Sequence, residues 1–222
     1  MSVNQVVIYA AGGFGRELAW LVESCTLETD RYEVACFVDD DPRKQGLSLN
    51  GIPVLALRES RNRFPEARMV AAIGSPQGRE KTVALATEAG FAWTTLVHPR
   101  VERSRSIEIG EGTVVCAGTV MTVNIALGRH VQININCTLG HDVIMGDYAT
   151  LAPGVHLSGW VHLGRRVYVG TGAVLLPGTQ DAPMVVGDDA VIGAGAVVTK
   201  PVPSGVTVVG IPAKPIERSP RA

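Results

Sequence analysis

A histidine followed by an aspartate, His141–Asp142, stands inside the aliphatic stretch NINCTLGHDVIMGDYATL. Imidazole has an ordinary pKa of about 6.5, which suits it to take a proton from a nucleophile at neutral pH. A carboxylate on its other ring nitrogen would fix the tautomer. Adjacent strand residues point to opposite faces, so Asp142 reaches the ring only where the chain turns. Gly140 allows a corner there, and another acid could serve instead. The competing reading is a solvated turn histidine, one of five histidines in the chain.

A second set of candidates lies near the N-terminus. YAAGGFGRE is a Gly-rich strand-to-helix turn, with Gly12, Gly13, Phe14 and Gly15. Bare amides at a helix N-terminus attract phosphate. The turn is not G-x-G-x-x-G, and the domain after it is half the size of a dinucleotide fold, which disfavours NAD. Asp39 and Asp40 end the next strand, as ribose or base contacts or as a plain acidic turn. Gly74–Ser75 form a third turn, with Arg79 and Lys81 as phosphate neighbours or helix-surface charges.

Composition narrows the rest. The 222 residues are 46% hydrophobic but only 5% aromatic, and the net charge is −1. An aliphatic core suits stacked strands. No basic run points to nucleic acid. No basic segment precedes a long apolar one, and no apolar run reaches membrane-spanning length, so a soluble cytoplasmic protein is expected. Cys25, Cys36, Cys116 and Cys137 form no C-x-x-C pair and read as buried thiols.

Two elements of organisation must position these residues. Residues 1–98 alternate strand and helix, which predicts an α/β domain with a mainly parallel sheet. QVVIYA, EVACFVDDD, ARMVAAIGS and FAWTTLVHP read as strands. GGFGRELAWLVES enters a helix, and PQGREKTVALATEAG is a second one, started by Pro76 and stopped by Gly90. Asn50–Gly51 signals a tight turn.

From 99 to 222 the grammar changes to a six-residue repeat. Gly110, Gly128, Gly140, Gly146, Gly164 and Gly170 share one phase, each preceded by an aliphatic. Ile133, Leu151, Leu157 and Leu175 keep the aliphatic phase, and Gly there is expected to serve the turn geometry. The phase slips between Leu175 and Val186, where GTQDAPM makes a distorted corner or loop. Such hexapeptides build a parallel β-helix of three-faced, eighteen-residue coils, stable only as a stack. Gly159 lies one coil after His141, hence about 4.8 Å along the axis. It either offers a bare N–H to a developing oxyanion or only makes a corner.

The hexapeptide run, the VVGIPAKPI ending and the IYAAGGFGRE turn together resemble the left-handed β-helix acyltransferases. The branch is the one with a small α/β domain that acetylates nucleotide-linked amino sugars, akin to sialic acid O-acetyltransferase-like proteins. The resemblance implies a homotrimer, with acetyl-CoA as cosubstrate between neighbouring β-helices and the nucleotide sugar on the N-terminal domain. It implies acetylation of the 4-amine of a 4-amino-4,6-dideoxy sugar, GDP-perosamine favoured, for O-antigen synthesis, without a metal. His141 matches the family's base and Asp142 the acid after it. Asn134 matches an Asn that contacts substrate or caps a turn. Thr150 stands where some relatives carry a His near the acetyl group, and Phe14 also replaces a common His. For coenzyme A, Gly159, Gly170, Ala194, Lys200 and Lys214 fall in matching positions, each lysine being equally readable as a surface charge.

Three other readings compete. Sugar O-acetylation would use the same base. A zinc hydratase needs three converging histidines, and His130, His141 and His162 lack that spacing. A non-enzymatic nucleotide sensor leaves the His-Asp pair unexplained. His98 sits at the domain junction, and His130, His156 and His162 are expected at the surface.

Overall fold

The computed structural model describes residues 3–26 and 31–216. The chain forms two compact units, Met1–Pro99 and Arg100–Ala222.

The first unit contains β1 (Val3–Tyr9), α1 (Gly13–Ser24), β2 (Arg31–Val38), β3 (Ser48–Leu49), β4 (Ile52–Leu55), α2 (Leu57–Arg63), β5 (Arg68–Ala71) and α3 (Pro76–Glu88). The sheet order is β3-β4-β2-β1-β5, parallel except for the β3–β4 pair. Val7, Ile8, Phe37, Val38 and Val70 are wholly buried, as expected of strands covered on both faces. Asn50 and Gly51 turn β3 into β4 with φ of 52° and 81°, the left-handed pair a two-residue hairpin requires. Ser75 caps α3 by accepting from the Gly78 N–H, Pro76 follows at its start, and Gly90 ends it at φ 89°. Two elements differ from the sequence reading. Helix α2 carries charged residues over most of its length and gave no apolar periodicity. The FAWTTLVHP segment is only a bridge from Trp93 to Met69 and a two-residue strand, Leu96–Val97.

The second unit is a parallel β-helix with three walls. One wall stacks Val120–Met121, Thr138–Leu139, His156–Leu157 and Val174–Leu175 in register at eighteen-residue intervals. A second stacks Ile125–Leu127, Ile144–Met145 and Val161–Leu163, and a third Gln132–Ile133, Thr150–Leu151 and Tyr168–Val169. The expected aliphatics fill the prism: Ile133, Leu151, Val169, Leu175 and Ile192 are 0% exposed. A second inward row, of which the sequence reading had only Cys137, lies two residues earlier: Val131, Cys137, Val143, Ala149, Val155 and Val167, also at 0%. Each large aliphatic buried this way contributes roughly 1.5–3 kcal/mol before entropy is charged against it. Leu163 pairs with Val186 where an eighteen-residue coil would reach residue 181, so the slip is a five-residue insertion in one corner.

The glycine phase has another cause than the one expected. Gly110, Gly128, Gly140, Gly146, Gly164 and Gly170 do not take positive φ. The left-handed corner falls two residues later, at Gly112, His130, Asp142, Tyr148, Arg166 and Gly172. The phase is glycine because the coils touch there. A Cβ on Gly140 would stand 2.7 Å from the Gly159 nitrogen, and one on Gly146 2.7 Å from the Arg165 nitrogen.

Candidate active site

The wall ending at Leu139 turns through Gly140, His141 and Asp142. Asp142 takes φ 58°, the left-handed region that Asp tolerates better than most residues. That single dihedral folds its carboxylate back onto the preceding ring. His141 Nδ1 and Asp142 Oδ2 are 2.8 Å apart. The other oxygen, Oδ1, accepts from Asn124 Nδ2 at 3.2 Å, one coil below. The hydrogen bond from His141, with that of Asn124, holds the Asp142 carboxyl below its ordinary range although the side chain is solvent-facing. An ionised Asp142 accepts from Nδ1–H, and in the neutral imidazole that tautomer leaves the lone pair on Nε2.

Gly159 lies against this ring. A Cβ built on it would meet His141 Nε2 at 2.4 Å and Cε1 at 2.5 Å. Gly159 itself has no positive φ; the corner conformation belongs to Trp160, at 58°. Gly159 is thus required by the imidazole, not by the turn. Its N–H finds no acceptor among the described residues. Trp160 N donates to His141 O at 3.0 Å, and its indole stands edge-on to the imidazole at 6.5 Å and 82°.

The remaining β-helix candidates separate into two places. Lys200 is exposed two residues past Val198, on the wall that leads into the His141 corner. Asn134, Thr150, Gly170 and Ala194 belong to the third wall and its own corner. Asn134 Nδ2 donates to Leu151 O at 2.8 Å, so it ties coil to coil. Thr150 is 2% exposed between Gln132 and Tyr168. Gly170 is buried, and a Cβ there would meet the Ala194 nitrogen at 2.6 Å, so coil contact accounts for it; Ala194 is exposed. Lys214 is exposed opposite Val209 in the closing antiparallel pair. Cys137 is wholly buried, and burial pushes its thiol up to about 11, which leaves no thiolate to act. His130 is 5% exposed and stacks on Tyr148 at 5.3 Å, so it is not the surface residue expected. His156 Nδ1 pairs with Thr138 Oγ1 at 2.8 Å, and His162 is half-buried near Trp160. Among the described residues no His, Cys, Asp and Glu group is arranged to hold a metal ion.

In the first unit, the loops after β1, β2 and β5 leave adjacent strands at the same carboxyl edge, where open α/β sheets bind ligands. They carry Gly12–Gly13, Asp39–Asp40 and Gly74–Ser75. Gly12 and Gly13 have open space where a Cβ would stand. Gly15 does not: its Cβ would lie 2.1 Å from the Ala10 carbonyl, so it packs α1 onto the end of β1 and has no surface for substrate. Phe14 is half-buried. Asp39, 8% exposed, braces the Gly-rich loop: Oδ2 accepts from Ala11 N at 2.9 Å and Lys44 Nζ at 2.8 Å, and Oδ1 from Asp41 N at 3.0 Å. Burial pushes its carboxyl up, but the Lys44 bond and the two backbone donors outweigh that and hold it below the usual range. Asp40 is exposed and accepts from Tyr9 Oη at 2.7 Å. Arg79 is 1% exposed and donates to Ile73 O at 2.7 Å, so it is neither helix-surface charge nor open cation. His98 is buried beside Trp20, ring centres 5.4 Å apart. Sequence reading missed Tyr9 and Lys44, whose partners lie 31 and 5 residues away. It also missed Asn124 and Trp160, although the one-coil step that located Gly159 from His141 reaches both from Asp142.

Comparison with known proteins agrees with this geometry. Residues 5–85 match the family model described as the PglD N-terminal domain. Residues 183–200 match the hexapeptide repeat of succinyl-transferase. The chain is 34% identical to the GDP-perosamine N-acetyltransferase of Escherichia coli O157:H7, over 98% of this chain and 99% of that one. WeeI from Acinetobacter baumannii AYE superposes with a TM-score of 0.85 at 37% identity, over 97% and 100% of the two chains. PerB from Caulobacter crescentus, solved with CoA and GDP-perosamine, gives 0.85 at 30% identity over 97% and 99%. Fold and site therefore define an acyltransferase of the left-handed β-helix class with an α/β N-terminal domain. Within that class the chain belongs to the family of nucleotide-amino-sugar N-acetyltransferases, which use acetyl-CoA as cosubstrate.

Proposed function

We propose that this enzyme transfers the acetyl group of acetyl-CoA to the 4-amine of a nucleotide-linked 4-amino-4,6-dideoxy sugar, GDP-perosamine being favoured. The carrying observation is the imidazole of His141, fixed by Asp142 on one nitrogen and lying against Gly159 with the other. Nε2 takes a proton as the amine attacks the thioester carbonyl. The Gly159 N–H receives the developing oxyanion. Collapse expels the thiolate of coenzyme A, and the imidazolium returns the proton to it. No acyl-enzyme is needed, which agrees with the inert Cys137.

The phosphates of the nucleotide are assigned to Gly12, Gly13, Gly74 and Ser75, with Asp40 toward ribose or base. Coenzyme A is assigned to Gly159, Ala194, Lys200 and Lys214. Gly159 and Lys200 lie at one corner of the prism, and Asn134 and Ala194 at another. A three-fold assembly would set one corner of each copy against a neighbour's other corner, and we infer such a homotrimer, with the sites at its interfaces. Among the described residues no helix is long and apolar enough to cross a membrane. Both cosubstrates are cytoplasmic metabolites, which supports a cytoplasmic enzyme feeding O-antigen synthesis.

The test is thiol release from acetyl-CoA with GDP-, UDP- and dTDP-linked 4-amino sugars, and with the matching 4-hydroxy sugars. Selective turnover of the GDP-linked amine is expected. Turnover only of hydroxyl acceptors would replace this reading by O-acetylation.

A further inference from the structure

We infer that Asn124 is a positioning residue of the reaction, the outer member of a three-residue relay Asn124–Asp142–His141. The inference rests on His141 acting as the base. Asn124 stands one coil below Asp142 at φ 55°, the same left-handed corner. Its Nδ2 donates to Asp142 Oδ1 at 3.2 Å while His141 Nδ1 engages Oδ2 at 2.8 Å. Val123 O accepts from Asp142 N at 3.1 Å, so the coil below holds both the backbone and the carboxylate of Asp142. A solvent-facing carboxylate is otherwise free to rotate about two bonds. With a donor on each oxygen its plane is fixed, and so is the ring it holds. The relay runs up the coil axis, from Asn124 through Asp142, and then along the corner to His141.

This arrangement separates two roles a corner asparagine can have. Asn is favoured at positive φ whatever its side chain touches, and Gly serves that conformation as well. Asn124→Gly therefore keeps the corner and removes only the amide. Asn124→Asp keeps shape and conformation but sets a second carboxylate against Asp142. Asn124 touches neither cosubstrate in the proposed mechanism, so its loss should appear in kcat and not in KM.

The experiment measures kcat, both KM values and the pH profile for Asn124→Gly, Asn124→Asp, Asp142→Asn, the double variant Asn124→Gly/Asp142→Asn, and His141→Asn, with circular dichroism melts as the folding control. Asn124→Gly should lower kcat by about tenfold with KM within about twofold. The double variant should match Asp142→Asn alone within about twofold, because the amide acts only through that carboxylate. Asn124→Asp should move the acid limb of kcat/KM to higher pH, since an added negative charge favours the imidazolium. Wild-type kcat in folded Asn124→Gly, or independent multiplication of the two losses, overturns the relay. If Asn124→Gly does not fold, an unmoved acid limb in Asn124→Asp overturns it. Retained activity in His141→Asn overturns the base assignment instead, so the two failures are told apart.

Discussion

Gly159 and His141 are in van der Waals register across one coil, so closely that a methyl on Gly159 would stand 2.4 Å from Nε2. The glycine is the floor on which the imidazole lies, and its N–H finds no acceptor among the described residues.

Gly159→Ala should therefore displace the ring. A side chain on the prism surface gives way more easily than backbone, so the fold should survive with a stability change of about 1 kcal/mol or less. Turnover should fall by about a hundredfold, the scale of an ångström-sized misplacement. Steady-state kinetics beside a thermal melt checks both, and full activity would remove Gly159 from the site.

His141→Asn should lower kcat by about two or more orders of magnitude with intact folding. In the wild type the acid limb of kcat/KM should fall with a slope of about one. Asp142 is held below its ordinary value and stays ionised at neutral pH, so the pair itself contributes a single proton to the limb. A pH–rate profile corrected for the acceptor amine's own titration checks it; a remaining slope of two would place a second protonation in the pair.

Gly146 and Gly154 are glycines for opposite reasons, and substitution should show it. Gly154 has φ 68° with open space around it, whereas a Cβ on Gly146 would meet the Arg165 nitrogen at 2.7 Å. Gly154→Asn should stay near wild-type stability, and Gly154→Ala should lose roughly 1–2 kcal/mol. Gly146→Ala and Gly146→Asn should both lose about 1–3 kcal/mol or more, because neither relieves the contact. Denaturant melts of the four variants measure this.

Asp39→Asn should destabilise the protein at neutral pH by about 1–3 kcal/mol, the range for hydrogen bonds to a charged group. The folded carboxyl lies below its unfolded value of about 3.9. Its contribution is therefore complete above that pH and is lost as pH falls through the folded value. The gap between variant and wild type should close in acid. Melts at pH 7 and at about pH 3 check the sign.

Much of this was legible beforehand for a physical reason. A hexapeptide prism repeats one local geometry, so a linear phase maps onto space: the inward aliphatics and the stacking of Gly159 on His141 followed from counting alone. Pro76, Gly90 and Asn50–Gly51 acted through their own backbone preferences, which need no tertiary partner. Tertiary structure decided whatever depends on contact between distant segments. It assigned Gly140, Gly146 and Gly170 to close coil approach and Gly15 to the Ala10 carbonyl, where spacing had suggested turns or ligands. It turned Asp39 inward to Lys44 and Ala11, and it buried Arg79 and His130. It also settled the geometry of the pair: His141–Asp142 was written in the sequence, but only the left-handed corner at Asp142, with Asn124 one coil below, aimed the carboxylate at the ring.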